Sequence, residues 1–152
     1  MPEPATPRYE ERLRVPWWLW TPALGLAALL AAEIHLGAPG LRAWVPYAAL
    51  LPATAAALWW FGRIRVAVAD GELRVDDAHV PVGYLGEVTP LDPAAVRVVL
   101  GPGADPLAFV VQRPWVRHAV RIELRDPADP TPYWVVSTRR PAALAAALKA
   151  AD

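Results

Sequence analysis

Two long apolar runs, separated by a short turn, constrain this chain more than any other feature. The first covers Pro16–Leu36 and the second Trp44–Phe61, and neither contains lysine or arginine. As helices that rise about 1.5 Å per residue, the runs are roughly 27–32 Å long, close to the thickness of a bilayer core. The connecting segment Gly37–Ala43 contains two glycines and a proline, which favour a turn. The sequence therefore predicts a transmembrane hairpin of two antiparallel helices.

Aromatic side chains are sorted to the ends of both predicted helices. Three tryptophans open the first helix, two close the second, and a Trp–Tyr pair lies at the opposite end of the hairpin. Amphipathic aromatic rings favour the interface between bilayer and water. The predicted membrane-interface residues are Trp17, Trp18, Trp20, Trp44, Tyr47, Trp59 and Trp60.

Arginines flank the hairpin asymmetrically. Three precede the first helix and two follow the second, whereas the turn between the helices holds only Arg42. Positive residues stay on the cytoplasmic side, so the sequence predicts a multi-pass protein of the cell membrane with both termini cytoplasmic. A secretory signal peptide is the alternative for the first run, but the length of this run and the second span after it favour an uncleaved helix.

The hydrophobic pattern changes to a period of two after the second run. Ile64, Val66 and Val68 alternate with less apolar residues, as in a half-buried strand. Asp70-Gly71 is a strong signal for a β-hairpin, and Asp92-Pro93 is a typical start of a short helix. The sequence therefore predicts an α+β domain, with a bent antiparallel sheet or barrel closed by a C-terminal helix. This helix begins at Pro141 and has Leu144 and Leu148 on one face.

Three segments follow from these patterns. Residues 1–15 are predicted to form a cytoplasmic tail, with a helix at the membrane surface from Arg8 to Val15 whose Tyr9 and Leu13 face lipid. Residues 16–62 form the transmembrane hairpin, and residues 63–152 form the cytoplasmic β domain with its C-terminal helix.

Composition argues against several kinds of chemistry. The chain has no cysteine, which excludes disulfides, thiolate catalysis and zinc–thiolate sites. The three histidines lack the spacing of metal ligands, and the single serine, Ser137, does not lie in a nucleophile elbow. From Arg63 onward, 11 basic residues balance 11 acidic ones, which is unlike a nucleic-acid-binding domain. The sequence predicts a non-enzymatic protein without cofactor, metal site or nucleic-acid partner.

A cluster of arginine and aromatic residues is the predicted binding surface. Arginine and tryptophan are favoured anchors, because they combine a large contact area with directed donors. The predicted binding residues are Arg113, Trp115, Arg117 and His118, with Arg139 and Arg140 as a second cationic pair. In the alternative interpretation, Trp115 packs in the core and the arginines are solvated.

Two functions follow from these observations. The first is a membrane-anchored interaction module that binds an anionic lipid headgroup or a membrane protein at the inner surface of the membrane. The alternative is an enzyme or transport component of the cell envelope that uses scattered residues, including Glu33, His35 or the Arg113 cluster. The sequence does not define the roles of Glu33 and His35 or the oligomeric state.

Four segments carry a resemblance to a known family. They are YEERLRVPWWLW at residues 9–20, AAEIHLG at 31–37, FVVQRPWV at 109–116 and DPADPTPYWVVSTRRP at 126–141. On these segments the chain resembles a family of small two-helix membrane proteins of unknown function from high-GC Gram-positive bacteria. The stretch from Tyr133, YWVVSTRRPAALAAAL, also resembles the last strand and capping helix of bacterial pleckstrin-homology-like domains. The resemblance implies a membrane location and a PH-like domain, and it implies no catalytic residues.

Overall fold

The chain divides into two compact units in the computed structural model, which describes residues 8–37 and 40–151. The first, the hairpin unit, is Arg14–Arg63. The second, the sheet unit, combines Ile64–Asp152 with the N-terminal segment that ends at Leu13. The hairpin unit is therefore an insertion between two parts of the sheet unit.

Two helices form the hairpin unit. Helix α1 spans Trp17–Leu36 and helix α2 spans Val45–Phe61, preceded by a 3-10 turn at Gly40–Trp44. The helices pack on each other, and α1 buries Ala27 and Ala31, which lie one turn apart. Small side chains at this spacing allow helix backbones to approach closely.

Length and composition distinguish the two helices. Within residues 8–37 and 40–151, α1 is the one helix long and apolar enough to cross a membrane, whereas α2 has 17 residues and is about 26 Å long. Signal sequences and core helices of soluble proteins have a similar length and hydropathy, so these two properties alone do not assign α1 to a bilayer.

The first sheet contains four antiparallel strands in chain order. They are β1 (Tyr9–Arg12), β2 (Arg65–Ala69), β3 (Glu72–Val75) and β4 (Ala78–Pro81). Asp70 and Gly71 connect β2 to β3 with φ angles of 54° and 73°, as a tight two-residue hairpin turn requires. The β-hairpin predicted at Asp70-Gly71 is confirmed.

Strand β1 replaces the predicted helix at the membrane surface, so that prediction is wrong. Tyr9 pairs with Val68, and Arg12 pairs with Arg65. Tyr9 and Leu13 are buried in the core of the sheet unit and do not form a lipid-facing stripe. The physical reason is the period of the pattern, because Tyr9, Glu11 and Leu13 alternate with exposed residues and so occupy one face of an extended strand.

The second sheet has the strand order β5-β7-β8-β6. Its strands are β5 (Leu85–Leu91), β6 (Phe109–Val111), β7 (Ala119–Leu124) and β8 (Tyr133–Ser137). Helix α3 (Pro93–Val99) follows β5, and the Asp92 side chain caps it by accepting a 2.7 Å hydrogen bond from the backbone of Ala95. The short helix predicted after Asp92 is confirmed.

The α+β class is confirmed, but the predicted sheet geometry needs correction. The described strands form two sheets and no closed barrel, and β6 runs parallel to β8. The segment that contains α3 carries the chain from β5, at one edge of the second sheet, to β6 at the opposite edge, beside β8. The prediction of one bent, wholly antiparallel sheet or a PH-like barrel is therefore replaced by two four-stranded sheets.

The C-terminal helix α4 (Pro141–Lys149) closes the core of the sheet unit. Leu144 and Leu148 lie on one face of α4 and are almost completely buried. They pack in one apolar cluster with residues of both sheets, including Val66 and Ile122. The predicted closing helix is confirmed, together with its buried leucine face.

Candidate functional site

The predicted Arg113–His118 cluster lies on the connection between β6 and β7. Trp115 is half-buried against the core, and its indole nitrogen donates a 3.3 Å hydrogen bond to the carbonyl oxygen of Leu13. Arg117 and His118 are exposed to solvent. Trp115 thus positions the segment, while Arg117 and His118 are the accessible members of the cluster.

Arg113 has a different environment from Arg117. Its backbone amide donates to the hydroxyl of Ser137 at 3.0 Å, and its Nη1 donates to the carbonyl of Gln112 at 3.1 Å. Its Nε is enclosed and has no hydrogen-bond partner among the described residues. An enclosed donor without an acceptor lowers the stability of the folded state by about 1–3 kcal/mol.

This cluster lies at the edge of the sheet unit where the chain leaves and re-enters it. Leu13 and Ile64 are the residues of the sheet unit that border the hairpin unit in sequence. The backbone amide of Leu13 donates to the carbonyl of Ile64 at 2.9 Å, and Trp115 bonds to Leu13. We call the residues Arg12, Leu13, Ile64, Arg65 and Arg113–His118 the exit edge.

An open groove of about 350 Å³ lies beside the exit edge. It separates the turn between β3 and β4 from strand β6. Six of its nine lining residues are apolar, five of them partly or fully buried, and two aspartates and one arginine complete it. The lining residues are Ile64, Val75, Asp76, Asp77, Ala78, Phe109, Val110, Val111 and Arg113. We call this feature the β6 groove.

The second predicted pair, Arg139 and Arg140, makes contacts within the protein. The Nη1 of Arg139 donates to the carbonyl of Arg12 at 3.2 Å, and the Nη2 of Arg140 donates to the carbonyl of Glu10 at 2.9 Å. The Arg140 guanidinium also lies 5.0 Å from the centre of the Tyr9 ring. Both arginines therefore connect the segment after β8 to strand β1.

A buried carboxylate next to these arginines was not predicted as a site. Glu11 accepts hydrogen bonds from the Tyr9 hydroxyl at 2.5 Å, the Thr138 hydroxyl at 2.6 Å and the Arg139 amide at 3.0 Å. We call Tyr9, Glu11, Thr138 and Arg139 the Glu11 clasp. The alternation of Tyr9, Glu11 and Leu13 is the sequence signal for it, because it places Glu11 on a buried face.

Tyr9 is held in its protonated form within the Glu11 clasp. Burial raises the pKa of Tyr9 to about 12, and the hydrogen bond to Glu11 contributes to this shift. The hydroxyl is therefore a hydrogen-bond donor at neutral pH and not a general base. Because the carboxylate of Glu11 accepts from three donors, the arrangement is suited to joining β1 to the C-terminal part of the chain.

Two aspartates between β7 and β8 shape a turn. The Asp126 carboxylate accepts from the amide of Ala128, and the Asp129 carboxylate accepts from the amide of Thr131. The side-chain and backbone hydrogen bonds of Thr131 hold the pKa of Asp129 below its usual value. Across the residues with described positions, no group of three or more His, Asp or Glu side chains is placed to hold a metal ion.

Within the hairpin unit, His35 contacts the turn region. Its Nδ1 lies 3.1 Å from the carbonyl oxygen of Ala43, and its ring makes edge contacts with the rings of Trp44 and Tyr47. Glu33 is exposed. His35 therefore connects the end of α1 to the start of α2, which gives it a structural role in the hairpin.

The predicted interface aromatics are mostly on the surface of the hairpin unit. Five of the seven are exposed, and Trp20 and Tyr47 are half-buried. Trp60 also stacks with the guanidinium of Arg63, which lies 3.7 Å from the ring centre. Exposed indoles at both ends of a helical hairpin are the arrangement expected of aromatic belts.

Comparison with known proteins places the chain in a family but does not supply an activity. No curated protein and no solved structure matches it. A family model described as a protein of unknown function, DUF3093, matches residues 8–148. The matched region includes the hairpin unit, the exit edge, the β6 groove and the Glu11 clasp. The prediction of an uncharacterised family is confirmed, and the chain belongs to the DUF3093 family.

Proposed function

We propose that this protein is a membrane-anchored interaction module without catalytic activity. Its hairpin unit crosses the cell membrane twice, and the exit edge of its sheet unit binds anionic lipid headgroups or a membrane protein at the inner surface. The main support for the proposal is the exposure of apolar side chains. Of the 17 exposed large apolar side chains among the described residues, 13 lie between Trp17 and Phe61. This amount of exposed apolar surface on one unit is stable in lipid and unfavourable in water.

Strand pairing supports two crossings of the membrane. Strand β1 precedes α1 and strand β2 follows α2, yet the two strands are hydrogen-bonded neighbours. The segments before and after the hairpin unit must therefore lie on the same side of a bilayer. If α1 spans the membrane, the chain has to return, and α2 is the segment available for that return.

Covalent connections keep the exit edge near the membrane in this proposal. Leu13 lies four residues before Trp17, and Ile64 lies three residues after Phe61. An extended residue spans at most about 3.6 Å, so these connections reach at most about 14 Å and 11 Å. Exposed Arg117 supplies a guanidinium group at this edge, and exposed Arg12 and Arg65 supply two more, which share Glu10 as their ion-pair partner. Guanidinium groups bind phosphate through paired hydrogen bonds more effectively than lysine does.

The proposed topology has a direct test. A reporter that is active only in the cytoplasm is expected to be active when fused after Asp152. A reporter that is active only outside the cell is expected to be active when inserted at the exposed Leu41, because the flanking arginines favour the inner side. Paired alkaline phosphatase and fluorescent-protein fusions measure this. An external C-terminus, or a cytoplasmic Leu41, would contradict the proposal.

The proposed lipid contact is tested in nanodiscs. Anionic lipid, compared with zwitterionic lipid, is expected to slow amide hydrogen exchange in residues 113–118 of the full-length protein. The double variant Arg113→Ala/Arg117→Ala is expected to lose most of this protection. The matched double variant Arg97→Ala/Arg125→Ala removes two exposed arginines elsewhere and is expected to retain it.

The outcomes of this experiment separate the two interpretations of the cluster. Equal exchange in both lipids would exclude the exit edge as a lipid-binding surface. A general increase in exchange throughout the sheet unit of the double variant would mean that these arginines stabilise the fold and do not bind lipid.

A further inference from the structure

We propose that the β6 groove binds an extended segment of a partner membrane protein, which adds to the free edge of β6 and places a lysine or arginine near Asp76 and Asp77. This inference rests on the function proposed above and names the class of partner. Three properties of the groove support it: an edge strand, an apolar lining and two carboxylates without an ion-pair partner among the described residues.

The edge of β6 is the first property. In the strand order β5-β7-β8-β6, strand β6 is terminal and has β8 as its neighbour on one side. Its central residue, Val110, is 42% exposed. An extended peptide can pair with such an edge through main-chain hydrogen bonds, while side-chain pockets supply specificity.

The lining of the β6 groove is the second property. Ile64, Val75 and Ala78 come from the first-sheet side of the groove, and Phe109 and Val111 come from β6. Alternate side chains of an added strand point in the same direction, so one set of them would enter this apolar groove. The groove therefore favours a segment with apolar residues at alternate positions.

Charge at the β6 groove is the third property. Asp76 and Asp77 are exposed and make no ion pair in the part of the chain that the structure describes. Two carboxylates at the rim attract a cationic side chain. The occupant is therefore basic and apolar, not acidic.

The position of the groove in the chain indicates where such a segment comes from. Ile64 lines the groove and is the first residue of the sheet unit after the hairpin unit. In the proposed topology, the groove lies near the inner membrane surface. Cytoplasmic segments next to transmembrane helices are enriched in lysine and arginine, so a neighbouring membrane protein presents the required chemistry at this depth.

Selection from a random peptide library tests the inference. The probe is a phage-displayed library of linear peptides, selected on the full-length protein in nanodiscs after depletion on empty nanodiscs. Enriched peptides are expected to combine alternating apolar residues with lysine or arginine. Their affinity is expected to fall at least about tenfold in Val110→Lys, which adds a cation to the groove, and also to fall in Asp77→Asn. Both changes are at exposed positions and should leave the fold intact, as circular dichroism checks.

Matched variants separate groove binding from general surface effects. Val98→Lys changes another exposed valine, on α3, and Glu87→Gln removes an exposed carboxylate on β5. Both are expected to bind the selected peptides as the wild type does. If a groove variant misfolds, a photoreactive version of a selected peptide provides the alternative measurement, and it is expected to crosslink to Phe109–Val111.

Several results would overturn the inference. These are no enrichment over empty nanodiscs, enrichment of acidic peptides, equal binding to Val110→Lys, or crosslinks elsewhere. Any of them would leave the proposed function standing if the protein is still integral to the membrane with protected residues 113–118. A protein that is absent from the membrane fraction would instead refute the proposed function itself.

Discussion

Replacing Leu148 with aspartate is expected to unfold the sheet unit. Leu148 is 2% exposed and packs with Leu144 and residues of both sheets. Removing the leucine side chain costs about 2–5 kcal/mol, and an unpaired carboxylate in its place adds several more. The total is comparable with the stability of a whole domain, about 5–15 kcal/mol. Limited proteolysis and amide hydrogen exchange of the full-length variant are expected to show loss of protection in both sheets.

Ala146→Asp is the matched control for this prediction. Ala146 is on the same helix, but its side chain is exposed, so the same charge stays in water. The free energy of unfolding of this variant is expected to fall by less than about 1 kcal/mol, mainly because aspartate has a lower helix propensity than alanine. A folded sheet unit in Leu148→Asp would mean that α4 is not part of the core, and it would contradict the packing described above.

Replacing Glu11 with alanine is expected to destabilise the sheet unit by about 2–4 kcal/mol. The change removes the acceptor for the hydroxyls of Tyr9 and Thr138 and for the amide of Arg139. Buried donors that lose their acceptor cost about 1–3 kcal/mol each, and Tyr9 and Thr138 compensate partly by bonding to each other at 2.8 Å. Urea unfolding of the full-length protein, followed by hydrogen exchange in β1 and β8, measures the change.

Glu10→Ala is the control for Glu11→Ala. Glu10 is the neighbouring residue on β1, but its carboxylate pairs at the surface with Arg65 at 2.8 Å. Surface ion pairs contribute about 0–1 kcal/mol, so this variant should remain close to wild type. Equal stability of the two variants would show that the Glu11 clasp does not hold β1 in place.

Much of the architecture is determined by local patterns that act over a few residues. The apolar runs predicted both helices of the hairpin unit, and the Asp70-Gly71 and Asp92-Pro93 pairs predicted a turn and a helix start that the structure contains. The leucine spacing of α4 predicted its buried face. These features depend on backbone preferences and on periodicity, which neighbouring residues encode directly.

Other features depend on contacts between distant residues, and only the tertiary structure decided them. Strand β1 was predicted as a helix because four residues give a weak signal, and its partner β2 lies beyond the whole hairpin unit. The parallel pairing of β6 with β8 depends on how the chain crosses over after β5, which no local pattern specifies.

The candidate sites show the same division. The sequence by itself identified the arginines and the tryptophan of residues 113–118, because their residue types are typical of binding surfaces. The tertiary structure placed Trp115 against the core, joined Arg139 and Arg140 to β1, and formed the Glu11 clasp between residues 127 positions apart in the chain. The chemistry of each side chain can be read from a sequence. Its burial and its hydrogen-bond partners depend on which distant segments pack together.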